Sequence, residues 1–211
     1  MADNKESGNR VMNIICSDVE GVWFPEVWVN VALKTGIEEL RLTTRDVSDY
    51  DVLMRGRLAI LVSHRLTIHD IQKVIATLEP LPGALETLGR IRESIQIVMV
   101  SDTFTQFAQP LMRSLGWPML FCNYLDIDSN GLVTGYHLRQ PDQKREVVKA
   151  LKGLRYNVTA VGDSYNDLSM LGEADRGILY RPPVKIIEDN TRFEVVMNHS
   201  ELLKAIAPIL D

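Results

Sequence analysis

Two carboxylates, Asp18 and Glu20, stand two residues apart at the end of the apolar run VMNIICSD, and Gly21 follows them. Two further apolar runs end alike. IQIVMVSD closes on Ser101 and Asp102, and YNVTAVGD closes on Asp163, with Asp167 just behind it. Carboxylates gathered at one place repel one another unless a cation neutralises them. Hard oxygen donors at this density suit Mg2+, which takes one or two protein carboxylates and completes its shell with water and phosphate.

The elements that would position these acids follow from pattern. Each run is short and lacks polar alternation, as strands buried on both faces of a parallel sheet do. Helical patterns separate them at 83–93, 104–116 and 143–154; the first and third are amphipathic and the second closes on Gly116. A short helix over 168–174, a strand over 177–180 and a last helix over 200–210 follow. Such alternation predicts an α/β fold with a parallel sheet and helices on both faces. Ligands of these sheets bind beyond the carboxyl ends of the strands, where the acids stand.

One stretch departs from that rhythm. From Pro25 to Leu81 no strand is predicted; 26–37, 50–64 and 67–78 read as helices, and EPLPG at 79–83 punctuates the return. A helical insert therefore follows the first strand, placed to cover the sheet's carboxyl edge. Asp126, Asp128 and Asn130-Gly131 open like an EF-hand calcium loop, but its twelfth position is His137 rather than Glu. The segment 123–138 is read instead as a β-hairpin turning at Ser129-Asn130-Gly131.

The remaining composition narrows the class. The chain has 211 residues, 45% hydrophobic, with a net charge of −5. The acidic balance argues against nucleic acid as a partner, and no run has the length of a membrane span. Residues 1–10 are polar, without the apolar region of a secretory signal, and read as a flexible lead-in. Cys16 and Cys122 both lie in apolar segments, which predicts buried reduced thiols and a cytoplasmic protein. The four histidines are scattered, and no metal site is assigned to them. Neither GxGxxG nor GxxxxGK[ST] occurs, so dinucleotide and P-loop sites lack their phosphate cradle.

DVEG at 18–21, SDT at 101–103, Lys144 and GDSYND at 162–167 resemble, in order, the motifs of the haloacid dehalogenase (HAD) phosphatase superfamily. Within it, DVEGVWFPEVW and TTRDVSDYDVLMRGRL are most similar to the phosphoserine phosphatase family, and among these to bifunctional members that also transfer phosphate to homoserine. The resemblance spans residues 11–205. It implies a Rossmann-like core over 11–24 and 80–211, with a C1-type helical cap over 25–79. It implies a Mg2+-dependent phosphatase whose Asp18 attacks phosphorus and forms an aspartyl-phosphate. Glu20, where the family usually has Asp, becomes general acid and base, and its backbone carbonyl joins Asp18 and Asp163 as a metal ligand. Ser101, the backbone of Asp102, Lys144 and Asn166 become phosphate-binding groups, with Arg145 and Lys149 competing for the role of Lys144. Asp167 orients the metal's waters or Lys144 from behind. Glu26 is expected at the ammonium of phosphoserine and Arg57 at its carboxylate, with Arg55 as competitor and Tyr50 closing the apolar side. The expected partners are small molecules, phosphoserine and homoserine, and a second copy in a homodimer. A phosphatase for another small phosphomonoester is the alternative. A phospho-receiver module is the reading from another class; receivers, however, are shorter, lack the insert and carry their Asp on a middle strand.

Overall fold

A computed structural model describes residues 12–43, 46, 47 and 49–210. The lead-in expected over 1–10 lies outside them. Strand β1 (Met12–Ser17) is followed by helices α1 (Val27–Thr35), α2 (Tyr50–Ser63), α3 (Ile68–Ile75) and α4 (Ala84–Ser94). Then come β2 (Gln96–Phe104), α5 (Thr105–Ser114), β3 (Met119–Ile127), β4 (Val133–His137), α6 (Gln143–Gly153) and β5 (Tyr156–Gly162). The chain closes through α7 (Leu168–Glu173), β6 (Arg176–Tyr180), α8 (Val184–Asp189), β7 (Glu194–Val196) and α9 (His199–Leu210).

The seven strands form one sheet in the order β4-β3-β2-β1-β5-β6-β7, parallel except for β4. The three acid-ended strands are thus neighbours, β1 between β2 and β5. The order reverses at β1, which opens a crevice at the carboxyl ends of these strands. Alternate residues feed two cores. Ile14, Cys16, Val98, Val100, Val158 and Ala160 pack with Val147, Val148 and Met170 on one face. Ile15, Ile97, Met99 and Val161 pack with Leu88, Ile91, Leu202 and Ile206 on the other. Burial on both faces explains the unbroken apolar runs.

The insert is helical among the described residues. Gly36, at φ 72°, ends α1. The Asp49 side chain caps α2 by accepting from Asp51 N and Val52 N, and Thr67 with Asp70 forms a capping box on α3. The insert rests on the sheet layer through Ile68 N to Gly131 O (2.8 Å), Gln72 Nε2 to Gln106 O (2.7 Å) and the Tyr136 hydroxyl to Asp51. Its two connections meet where Leu81 N donates to Trp23 O at 2.8 Å.

Three details differ from the reading of the sequence. The hairpin forms, but its first strand begins at Met119 and pairs in parallel with β2 before turning into the hairpin. Helix α8 and strand β7 are too short to leave a periodic signal. Cys122 is half-buried beside the Thr105 hydroxyl rather than enclosed, whereas Cys16 is buried.

Candidate active site

Asp18 is the first residue beyond β1, and its N–H still donates to Val161 O on β5 at 2.9 Å. Its carboxylate therefore emerges into the crevice with little freedom, and it is only 4% exposed. Lys144, on the first turn of α6, reaches the same point from the other side. Its Nζ stands 2.9 Å from Asp18 Oδ1, 2.7 Å from Asp167 Oδ1 and 3.7 Å from Asp102 Oδ2. Burial works against that ammonium, but the charges of Asp167, Asp18 and Asp102 outweigh it and hold its pKa well above the ordinary lysine value. Arg145 and Lys149 point elsewhere, to Glu173 and Glu146.

Asp167 is fully buried, and both its oxygens are engaged. Oδ1 takes Lys144, and Oδ2 accepts from Asp163 N (2.9 Å) and Ser164 N (3.1 Å), which folds the loop beyond β5 around it. A Cβ at Gly162 would collide with the Asp167 side chain, so glycine is what lets the acid lie against the strand end. Asp163 is partly buried, and burial, then Asp167 and Glu26, push its pKa to about 7. Burial and Asp167 likewise hold Asp18 well above the usual carboxylate range against the pull of Lys144. Oxygens of Asp18, Asp163 and Asp167 lie within 4.8 Å of one another, the one such acid group among the described residues. Gly21, at φ 79°, curls the turn after Asp18 over Asp163, and a Cβ there would occupy the space of the Asp163 carboxylate. Because Asp167 is already saturated with donors, Asp18 and Asp163 are the side chains left short of positive charge.

Glu20 points its carboxylate at the head of α1, where Oε2 accepts from Val27 N at 2.8 Å. The Thr103 hydroxyl side chain is its second partner. Burial and Glu26 outweigh these bonds and raise its pKa to about 7, so both protonation forms are accessible near neutrality. Ser101 is buried within β2, three residues before its end; its hydroxyl accepts from Thr103 N at 3.2 Å. Asp102 is a hub. Gln143 Nε2 (3.0 Å) and Asn166 Nδ2 (2.7 Å) donate to its carboxylate, and the Tyr50 hydroxyl (3.3 Å) and Asn123 Nδ2 (3.0 Å) donate to its carbonyl. Burial opposes ionisation of Asp102, but Lys144, Gln143 and Asn166 together lower its pKa. Tyr50, Asp102, Asn123, Gln143, Lys144 and Asn166 line a cavity of about 240 Å3.

The insert supplies the rest. Glu26 is exposed at the N-terminal boundary of α1, close enough for its charge to act on Glu20, Asp163 and Arg57. Arg57 turns inward from α2 and is 7% exposed. Arg55, on the other face, pairs with Asp51 in solvent at 2.6 Å. Burial lowers the Arg57 pKa to about 10 despite Tyr50, Glu20 and Glu26 nearby. Tyr50 reaches the Asp102 carbonyl, so it bridges insert and sheet at the cavity's rim.

Reading the sequence missed Gln143 and Thr103, which touch Asp102 and Glu20. Thr103 lies within the SDT stretch already singled out, whereas Gln143 carries no signal beyond being next to Lys144.

Three kinds of comparison bear on this geometry. A haloacid dehalogenase-like hydrolase family model matches residues 8–175. The chain is 53% identical over 191 residues to phosphoserine phosphatase ThrH of Pseudomonas aeruginosa, covering 90% of this chain and 93% of that one. It is 52% identical over 197 residues to a phosphoserine phosphatase of Pseudomonas syringae pv. tomato, covering 93% and 83%. Among solved structures, a phospho-aspartyl intermediate analogue of phosphoserine phosphatase superposes with a TM-score of 0.74 at 21% identity, over 93% of this chain and 99% of that one, which speaks for the fold.

Proposed function

Since the chain belongs to the haloacid dehalogenase-like hydrolases, we propose that it is a phosphoserine phosphatase working through a phosphorylated Asp18, with residues 25–79 as a cap over the site. The observation that carries this reading is the buried group of Asp18, Lys144, Asp163 and Asp167 at the meeting point of β1, β5 and α6.

The group fits a hard divalent cation. Its three acids offer only oxygen, burial raises the pKa of Asp18 and Asp163, as crowded carboxylates short of positive charge show, and Gly21 leaves room at Asp163. Asp18, Asp163 and the backbone carbonyl of Glu20 would hold magnesium. Bound there, the ion would neutralise charge on the phosphoryl oxygens.

In the first step the Asp18 carboxylate attacks phosphorus, the bond from phosphorus to the serine oxygen breaks, and Glu20 gives its proton to that oxygen. In the second, Glu20 takes a proton from water as the water oxygen attacks the same phosphorus, which releases phosphate and restores Asp18. Lys144 sits against Asp18 throughout and offsets the growing negative charge. Asp167 holds Lys144 and the Asp163 loop in place. Ser101, the Asp102 backbone and Asn166 face the phosphoryl group. Glu26 receives the substrate ammonium and Arg57 its carboxylate, with Tyr50 at the rim.

Phosphate release from L-phosphoserine and a panel of other small phosphomonoesters, with and without Mg2+, tests the reading. Selective, Mg2+-dependent release from L-phosphoserine is expected; equal rates across the panel would refute the substrate assignment. Adding homoserine to the same assay reports whether an alcohol replaces water as acceptor.

A further inference from the structure

Arg57 is held in an unusual way for a buried cation. Among the described residues no carboxylate bonds to it. Among the described residues, Nη2 donates to the Leu42 carbonyl at 2.7 Å, Nη1 has only the Met54 thioether at 3.7 Å, and Nε is buried without a partner. A guanidinium has five N–H donors, so most of its capacity is unspent at a buried position, where an unmet donor is costly. The guanidinium lies over the ring of Trp28. The guanidinium carbon stands 4.6 Å from the centre of the indole ring, and that ring is itself set edge-on against Phe107 of α5 at 5.3 Å, 76° between planes. Trp28 is 9% exposed, so its face is dry and the attraction between ring quadrupole and cation is little screened. Helices α1 and α2 thus each contribute one half of this contact, and Phe107 ties it to the sheet layer.

We infer that Trp28 is a specificity-determining positioning residue, whose indole face aims the Arg57 guanidinium so that its unspent donors meet the substrate's carboxylate. The inference rests on the assignment of Arg57 to that carboxylate. Its consequence is selective: loss of the ring face loosens Arg57 and weakens binding of carboxylate-bearing substrates more than of those without a carboxylate.

The test is steady-state kinetics with Mg2+ on L-phosphoserine and on p-nitrophenyl phosphate, for Trp28→Leu, Arg57→Ala and the double variant. The ratio of KM for phosphoserine to KM for the aryl phosphate should rise roughly twofold to thirtyfold in Trp28→Leu, the range of a cation–π contact. The double variant should be no worse than Arg57→Ala alone, because the ring acts only through the guanidinium. An unchanged ratio in Trp28→Leu with a raised ratio in Arg57→Ala would overturn the role of Trp28 and leave Arg57 standing. An unchanged ratio in Arg57→Ala would overturn the Arg57 assignment and the inference with it. Equal losses on both substrates in Trp28→Leu would reduce the ring to packing. Replacing the tryptophans biosynthetically with fluorinated tryptophan, which weakens the ring face at nearly constant shape, gives the same decision if Trp28→Leu does not fold. The KM ratio should rise with fluorination, and a flat ratio overturns the inference.

Discussion

Replacing Lys144 with methionine removes the one ammonium at the centre of the acid group and keeps a side chain of similar length. In the native arrangement that ammonium, 3% exposed, lies within 3 Å of both Asp18 and Asp167. Breaking a buried ion pair from one side costs about 3–5 kcal/mol, because the surviving charge has neither water nor partner. Unfolding entropy near 2.1 cal/mol/K per residue gives about 0.44 kcal/mol/K for a chain of this length, so Tm should fall by about 7–11 °C. The loss should depend on pH. Lys144 has a raised pKa, so its own contribution is fully present below the ordinary lysine value and constant across the neutral range. Asp18 sets the dependence. Without Lys144 the already raised pKa of Asp18 rises further, and a carboxylate whose folded pKa is raised costs stability as pH climbs above its unfolded value. The deficit of Lys144→Met should therefore be small near about pH 4 and grow toward about pH 7. Calorimetry in EDTA, which keeps divalent ions from substituting for the lysine, reads this directly. A Tm drop below about 2 °C at neutral pH, or a drop of equal size at both ends of the range, would refute the charge balance described here.

Other perturbations give separate readings. Gly21→Ala forces a non-glycine residue to φ 79° and drives its Cβ into Asp163; a backbone strain of about 1–2 kcal/mol lowers Tm by a few degrees, and the Mg2+-induced rise in Tm should vanish, whereas a full rise would contradict the placement of Asp163. Protons held by Asp163, at a pKa of about 7, compete with a cation; Mg2+ should therefore raise Tm more near about pH 8 than near about pH 6, and the opposite order would argue against Asp163 as a ligand. Tyr50→Phe removes the hydroxyl bond to the Asp102 carbonyl; KM for phosphoserine should rise by up to about tenfold, the worth of one hydrogen bond, and an unchanged KM would remove Tyr50 from the rim.

The catalytic edge was readable because buried parallel strands write themselves as unbroken apolar runs, and an acid at the end of such a run has few other reasons to be there. The helices of the insert were readable from their caps: Gly36 stops α1, and Thr67 with Asp70 starts α3. Arg57 and Arg55 were distinguishable in principle, since Arg57 shares the buried stripe of α2 with Leu53, Met54 and Leu61 and Arg55 does not. Other features depend on contacts across the fold. The first half of β3 is only half-buried, so it lacks a continuous apolar signal, and its parallel pairing with β2 is a matter of sheet order. That Trp28 lies under Arg57, or that Gln143 holds Asp102, follows from how helices settle on one another and leaves no local trace. Glu20 was recognisable by position. Its tie to Val27 N at the start of the insert was not, because the extra methylene leaves several orientations open.

In the proposed reaction the phosphoryl group passes through the side chain of Asp18. Mixing the enzyme with Mg2+ and 32P-labelled phosphoserine, quenching in acid within a turnover and mapping the label reads it most directly. An acid-stable, hydroxylamine-labile label is expected on the peptide containing Asp18, absent in Asp18→Asn, which stays folded but does not turn over. Label on another residue, or undiminished hydrolysis by Asp18→Asn, would contradict it.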